Sequence, residues 1–300
     1  MSNSEDIELC VEPRATQPHL LQSNSMNKIS ESTRSRFRVL VTVPVYNEVS
    51  ILEKSMCTLR KALDASGLDY VLSIFEDGST DGTKEVLRRI ESNDPHILIR
   101  SSADKHGRGW ALRTQWPDLP FDAFAFCDAD LAAGPEALLN AILKVEKGFD
   151  LVIGSRYADG ARVRRPPARK LVSLAYNLIL RMIFRDGIDD HQCGLKAFSR
   201  RAVDHVVIAS KEDSWFWDTE VIVIAQKLKL LIAIIPVDWT ERKSNRTHLL
   251  RLLSDLYIHG SGILRLKSDI SIRFKQEGMF AVPAYQPNPT ELGTAIERQS

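Results

Sequence analysis

No apolar run in this chain reaches the roughly 18 residues that a membrane-crossing helix needs. The longest candidate, Leu230 to Val237, is short, runs into Pro236-Val237-Asp238, and reads as a buried strand. Cysteine is scarce. Cys10, Cys57, Cys127 and Cys193 make no CxxC pair and no Cys/His cluster with zinc-finger spacing, which points to reduced thiols in a cytosolic protein. An excess of one charge is missing too: 40 basic against 39 acidic residues leave a net charge of +1, so no global basic field directs the chain to nucleic acid. The opening residues, MSNSEDIELC, are acidic and polar and lack the pattern of a secretory leader. There is no internal repeat. Membrane contact is therefore expected to be peripheral or through a membrane subunit.

What is present is ordinary globular material, 44% hydrophobic and 26% charged over 300 residues. Residues 1–35 and 283–300 are polar without apolar periodicity and read as disordered tails. Between them strands and helices alternate. Arg38 to Val45 is a β-branched strand. The helix after it has Ser50 and Glu53 in capping-box spacing and Gly67 as its stop. Further strands are expected over Tyr70–Phe75, Ile97–Arg100, Phe121–Cys127 and Asp150–Gly154. Helices are expected over Thr83–Ile90, Gly109–Trp116 and from Pro135 to about Lys147. This rhythm predicts an α/β fold, a mostly parallel sheet with helices on both faces, whose ligands sit at the carboxyl ends of the strands. Beyond Gly154 come a basic, proline-broken loop (162–170), a strongly apolar helix (171–184) and an amphipathic helical segment over 247–282. The organisation is thus tail, a catalytic domain over 36–246, the helical segment, and a second tail.

The chemistry-bearing residues fall at the strand ends. Pro44-Val45-Tyr46-Asn47-Glu48 stands at the end of the first strand and presents an aromatic face and a carboxylate. Glu76-Asp77-Gly78 follows the second, where Asp77 is placed to accept hydrogen bonds from a base or ribose. Asp81 reads as the cap of the next helix. Asp128-Ala129-Asp130 ends a buried strand, and two carboxylates so placed are costly without a balancing cation. Oxygen-only ligation suits Mg²⁺ or Mn²⁺, which would bridge a nucleotide diphosphate. Arg156, in Gly154-Ser155-Arg156-Tyr157, can hold a phosphate bidentately. Three more segments follow: Asp189 to Phe198 (DDHQCGLKAF), Trp215 to Glu220 (WFWDTE) and Asp238 to Arg242 (DWTER).

In this order the seven segments resemble family 2 glycosyltransferases of the A-type fold, and among them the polyprenyl- and dolichyl-phosphate sugar synthases. DHQCGLKAF and WFWDTE are similar to the dolichyl-phosphate glucose synthases in particular. The resemblance covers about Val39 to Arg246. It implies that Pro44, Tyr46, Glu48, Phe75 and Asp77 hold the nucleoside. It implies that Asp128 and Asp130 are the metal pair, with Ala129 at the diphosphate, and that Arg156, Arg242 and Arg246 lie over the phosphates. Arg108 stands where such proteins usually carry lysine. Ala132 stands where many carry a glutamine ligand, so two waters would complete the metal shell.

The reading is an inverting transfer of a hexose from a nucleotide-diphosphate sugar, of UDP-glucose or GDP-mannose type, to a polyprenyl or dolichyl phosphate at the cytoplasmic face of a membrane. An ionised phosphate acceptor needs positioning and charge neutralisation more than a base. Arg162, Arg164, Arg165 and Arg169 beside the apolar helix would suit an anionic lipid head; their alternative is an ordinary solvated loop. A hydroxyl acceptor would need a base, and Asp190 is the candidate. His191 reads as structural. A nucleotidyltransferase is disfavoured, because Tyr46-Asn47-Glu48 stands where a glycine-rich loop would be. A non-catalytic subunit of a membrane enzyme stays open. The apolar helix either lies on lipid or packs on the sheet or on a second copy in a homodimer.

Overall fold

The computed structural model describes residues 37–94, 97–240, 262–263 and 265–269. The chain runs β1 (Arg38–Val45), α1 (Leu52–Ala65), β2 (Asp69–Asp77), α2 (Thr83–Asn93), β3 (Ile97–Ser102), α3 (Arg108–Gln115), β4 (Ala123–Cys127), α4 (Pro135–Glu146) and β5 (Leu151–Ser155). Then come β6 (Arg162–Arg164), α5 (Pro167–Phe184), β7 (Leu195–Ser199), a short helix α6 (Arg200–Ala202) that continues as a π-turn over Val203–Val207, α7 (Trp217–Lys227), β8 (Ile232–Pro236) and β9 (Asp238–Thr240). Seven strands form one sheet in the order β3-β2-β1-β4-β7-β5-β8. Every pairing is parallel except the two made by β7, which runs antiparallel between β4 and β5. The expected mostly parallel sheet is what forms.

Strand β1 is central and buries both faces. Val39, Val41 and Val43 face a core shared with Leu59 of α1 and Ile142 of α4. Leu40 faces a second core with Trp116, Phe124, Phe198 and Trp217. Each such fully buried side chain contributes about 1.5–3 kcal/mol. On the second face Thr42 accepts a hydrogen bond from the Trp116 indole at 2.9 Å, so the one polar residue of the strand's middle is satisfied.

Several local expectations are corrected. The capping box of α1 does not form: its cap residue is Ile51, and the amides of Ile51 and Leu52 donate instead to the Glu48 carbonyl at 3.1 Å. Residues 162–170 are not one loop, because β6 pairs with β9 and α5 starts at Pro167. The strand expected over 230–237 is an edge strand, β8, paired only with β5, so Ile234 stays exposed. Cys127 and Cys193 are free, buried thiols. Cys57, half-buried on α1, is disulfide-bonded, against the expectation of reduced thiols throughout. Residues 1–35 and 283–300 lie outside the described residues. Of the 247–282 segment, residues 262–263 and 265–269 are described, and Ile263 and Leu266 among them pack with Leu180, Phe216 and Val223.

Candidate functional site

The loops after β1 and β2 are knit to each other by side chains reaching backbone. The amides of Asn47, Glu48 and Val49 donate to Ser79, Thr83 and Asp81, and Asn47 accepts in return from the Thr80 amide at 2.8 Å. Asn47 adopts a left-handed φ of 56°, which short polar side chains tolerate. The cap residue of α2 is Gly82 rather than Asp81, but Asp81, one residue earlier, accepts from the Thr83 amide that opens the helix at 3.0 Å. Burial opposes its ionisation, but bonds from Thr83 and Val49 outweigh that and hold it below the usual carboxylate range. Beneath, the fully buried Glu76 accepts from the Ser79 amide.

Asp77, 5% exposed, points across to the loop before α3. Its two oxygens accept from the amides of His106 and Gly107, both at 2.8 Å. That bond pair fixes the residues immediately before Arg108. An aromatic wall stands beside it: Trp110 packs edge-on to Phe75 and stacks on His106 at 3.9 Å between centroids. Tyr46 lies under the Lys105 ammonium at 3.8 Å. Pro44 and Glu48 are half-buried on the same rim.

At the end of β4 the acid pair meets a chain of buried charge. Arg108 donates through Nη2 to Asp128 and through Nη1 to Asp218 at 2.6 Å, while Lys196 donates to the other oxygen of Asp218 at 2.6 Å. Lys196 and Asp218 are fully buried. Isolated, each would be prohibitive to bury; alternating in sign, they neutralise one another. Asp128 itself is pushed up to about 6, first by burial, with repulsion from Asp130 and Asp218 adding and Arg108 opposing. Asp130 accepts from the Ala132 amide at 3.1 Å, and Ala129 between the acids is buried.

Gly194 makes this arrangement possible. A Cβ there would lie 1.7 Å from Asp128 Oδ2. The Asp128 amide also donates to the Gly194 carbonyl at 3.1 Å, so β7 and the acid pair are held in contact.

Arg156 and Asp190 are brought together rather than left open. Asp190 is fully buried and accepts from Arg156 Nε at 2.8 Å, Nη2 at 2.7 Å and the Arg156 amide at 2.9 Å. The planar fork expected to face phosphate is thus engaged by Asp190 along one edge, and Trp239 covers the guanidinium at 5.0 Å. His191 is buried beside Asp186, 3.1 Å away, in keeping with a structural role.

The donor chemistry of the acid pair suits a divalent ion: Asp128 and Asp130 offer carboxylate oxygens of the kind Mg²⁺ and Mn²⁺ accept. Among the described residues no group of three or more His, Cys, Asp or Glu is placed to hold a metal, so water and substrate phosphate would have to supply the other ligands. The neighbouring Cys193 thiol is fully buried, and burial pushes it up to about 12. Arg242 and Arg246 lie outside the described residues. The sequence reading missed Gly194, Lys196 and Asp218. The signal was available: a lone lysine in the apolar strand Leu195-Lys196-Ala197-Phe198, and a lone acid behind Trp215-Phe216-Trp217, are buried charges of opposite sign that need partners.

The profile of glycosyl transferase family 2 matches residues 40–207. The chain is similar to glycosyltransferase AglD of Haloferax volcanii, 34% identical over 81% of this chain and 39% of that one. It is similar to dolichyl-phosphate beta-glucosyltransferase ALG5A of Trichomonas vaginalis, 29% identical over 77% of this chain and 71% of the relative. It is also similar to undecaprenyl-phosphate mannosyltransferase of Micrococcus luteus, 30% identical over 69% and 85%. The chain therefore spans well under half the length of the first of these relatives and most of the other two. Among solved structures, glucosyl-3-phosphoglycerate synthase from Mycobacterium tuberculosis, in complex with Mn²⁺, UDP and glucosyl-3-phosphoglycerate, superposes with a TM-score of 0.55 at 18% identity, covering 76% of this chain and 77% of that one.

Proposed function

The chain belongs to glycosyl transferase family 2, and on that premise we propose that it moves a hexose, with inversion at C1, from a nucleotide-diphosphate sugar to a polyprenyl or dolichyl phosphate. The relatives named for dolichyl-phosphate and undecaprenyl-phosphate transfer support the acceptor class. They differ in the sugar, so a donor of UDP-glucose or of GDP-mannose type fits equally.

The observation that carries the acceptor assignment is the state of Asp190. A hydroxyl acceptor needs a base, and the candidate base is fully buried with both oxygens on Arg156. A phosphate monoester is already ionised near neutral pH and needs none. Its oxygen attacks C1, the bond from C1 to the diphosphate breaks, and the electron pair leaves on the nucleoside diphosphate. Mg²⁺ or Mn²⁺ held by Asp128 and Asp130 would neutralise that leaving group. Mn²⁺ beside UDP in the solved neighbour supports the assignment. Under this reading Pro44, Tyr46, Glu48, Phe75 and Asp77 cradle the nucleoside. Arg156, with Arg242 and Arg246, provides positive charge over the phosphates, and Asp190 holds the Arg156 fork in position.

The lipid end of the acceptor suits α5. Leu171, Leu178 and Met182 are 69%, 56% and 63% exposed, with Arg162, Arg164, Lys170, Arg181 and Arg185 exposed around them. An apolar stripe rimmed by cations is the composition of a helix lying in a headgroup layer. Among the described residues no helix is long and apolar enough to cross a membrane.

The test is to incubate the purified chain with labelled nucleotide sugars and either polyprenyl phosphate or the free polyprenol. Label entering the organic phase only with the phosphate supports the reading. Transfer to the alcohol alone would replace it with a hydroxyl-acceptor enzyme. No transfer, with the nucleotide still bound, would favour a non-catalytic subunit.

A further inference from the structure

Arg108 is the first residue of α3, and its side chain is 4% exposed. It is clamped on every side. Asp77 fixes the backbone before it through the amides of His106 and Gly107. Its guanidinium carbon lies 5.0 Å from the centre of the Phe126 ring and 4.2 Å from that of Trp215. Its nitrogens meet Asp128 and Asp218, and Lys196 holds the second oxygen of Asp218.

In order along this chain the charges run negative, positive, negative, positive, and they sum to zero. Asp128 thus already carries a cation before any metal arrives. A divalent ion using Asp128 would be placed within a few ångströms of a guanidinium that packing prevents from swinging away. Two cations sharing one carboxylate in a partly desolvated place repel strongly.

We propose that Arg108 is a resident counter-cation that competes with the divalent ion for Asp128 and so makes metal binding depend on the nucleotide diphosphate. The bare ion meets an already neutralised carboxylate and binds poorly. A nucleoside diphosphate carries about three negative charges when fully ionised, so its complex with one divalent ion is net negative and is attracted to the same guanidinium that repels the bare ion. Arg108 is here a positioning residue, placed at the metal pair by the fold. The inference rests on reading Asp128 and Asp130 as that pair.

The experiment is a Mn²⁺ titration of the full chain, following the free-ion signal by electron paramagnetic resonance, with and without UDP or GDP. Wild type is expected to bind Mn²⁺ at least about tenfold more tightly with nucleotide than without. Arg108→Gln removes the competing charge, and Lys196 remains to partner Asp218. Its nucleotide-free Mn²⁺ affinity should rise about tenfold or more, and the gain from nucleotide should shrink. Arg108→Lys keeps the charge but not the fork that reaches two carboxylates, and should fall between. If Arg108→Gln does not fold by circular dichroism, Arg108→Lys and the wild-type ratio decide. Nucleotide-free affinity in the folded variants no higher than wild type, with Mn²⁺ still bound beside nucleotide, overturns the proposal and leaves the metal pair standing. No Mn²⁺ bound by any form, with or without nucleotide, overturns the metal pair and the proposal with it.

Discussion

The two halves of the strand-end rim are held by different forces. On the β1–β2 side, the loops are tied by neutral and single-charge hydrogen bonds to backbone amides: Ser79, Thr83, Asp81, Asn47 and Asp77 each satisfy main chain. On the β4–β5 side, buried ions hold one another: Arg108 with Asp128 and Asp218, Lys196 with Asp218, and Arg156 with Asp190. Bonds to amides fix the shape of a loop and respond little to a ligand's charge. Buried ion pairs are expensive to desolvate, but they respond strongly when a phosphate or a metal arrives. On the proposed reading the amide-tied side meets the nucleoside and the charged side the diphosphate.

The largest expected effect comes from breaking one buried pair. Asp190→Asn leaves Arg156 buried without a countercharge and should cost about 3–5 kcal/mol, read as a lowered urea midpoint at unchanged slope. Loss of less than about 1 kcal/mol would show that the pair is solvated. Next is Gly194→Ala, whose Cβ meets the Asp128 carboxylate. The carboxylate must move, so transfer should fall on the order of a hundredfold, since displacements of about 1 Å at a reacting site cost that much. Rates within threefold of wild type would place Asp128 outside the chemistry.

On the amide-tied side the effect should be smaller. Asp77→Asn keeps one acceptor oxygen and loses the other, at a cost of about 1–2 kcal/mol of stability. It should also weaken nucleotide binding in calorimetry more than it weakens acceptor binding. Equal loss for both ligands would argue that the loop is only structural.

The smallest effect sharpens the comparison through pH. Asp128 sits at about 6 in the fold, above an ordinary carboxylate. Between the ordinary value and 6 the folded chain holds a proton that the unfolded chain has lost, so this group's contribution makes metal-free stability fall as pH rises through that window. Asp128→Asn should flatten that slope, measured as denaturation midpoints from pH 4 to 7. An unchanged slope would assign it to other groups. Amide-bonded Asp81, held below the usual range, contributes in the opposite sense and at lower pH.

The sequence carried the sheet well because β1, β2 and β4 announce themselves as β-branched or aromatic runs that close at Pro44-Val45, Asp77 and Asp128. It also placed the acids correctly at strand ends. What it could not carry was pairing across long separations. Where the capping box was expected, the helix instead starts from a turn closed on the Glu48 carbonyl, and Thr83 and Asp81, over 30 residues away, hold the amides of Glu48 and Val49 in that turn. Arg156 was read as an open phosphate fork because its partner Asp190 lies 34 residues later. Strand β7 was not anticipated as the antiparallel member, since Asp189 to Phe198 reads locally as a polar turn followed by four apolar-flanked residues. Its buried lysine is satisfied by the His191 and Cys193 carbonyls and by the Asp218 carboxylate, which arrives from α7.

The most direct test of the account is the structure of the product made from a nucleotide sugar of defined anomeric configuration and a polyprenyl monophosphate. The prediction is a phosphodiester by phosphorus resonance, with the anomeric carbon inverted relative to the donor by its proton coupling. A product with the monophosphate intact and the sugar on a hydroxyl, or with the donor's configuration retained, would contradict it.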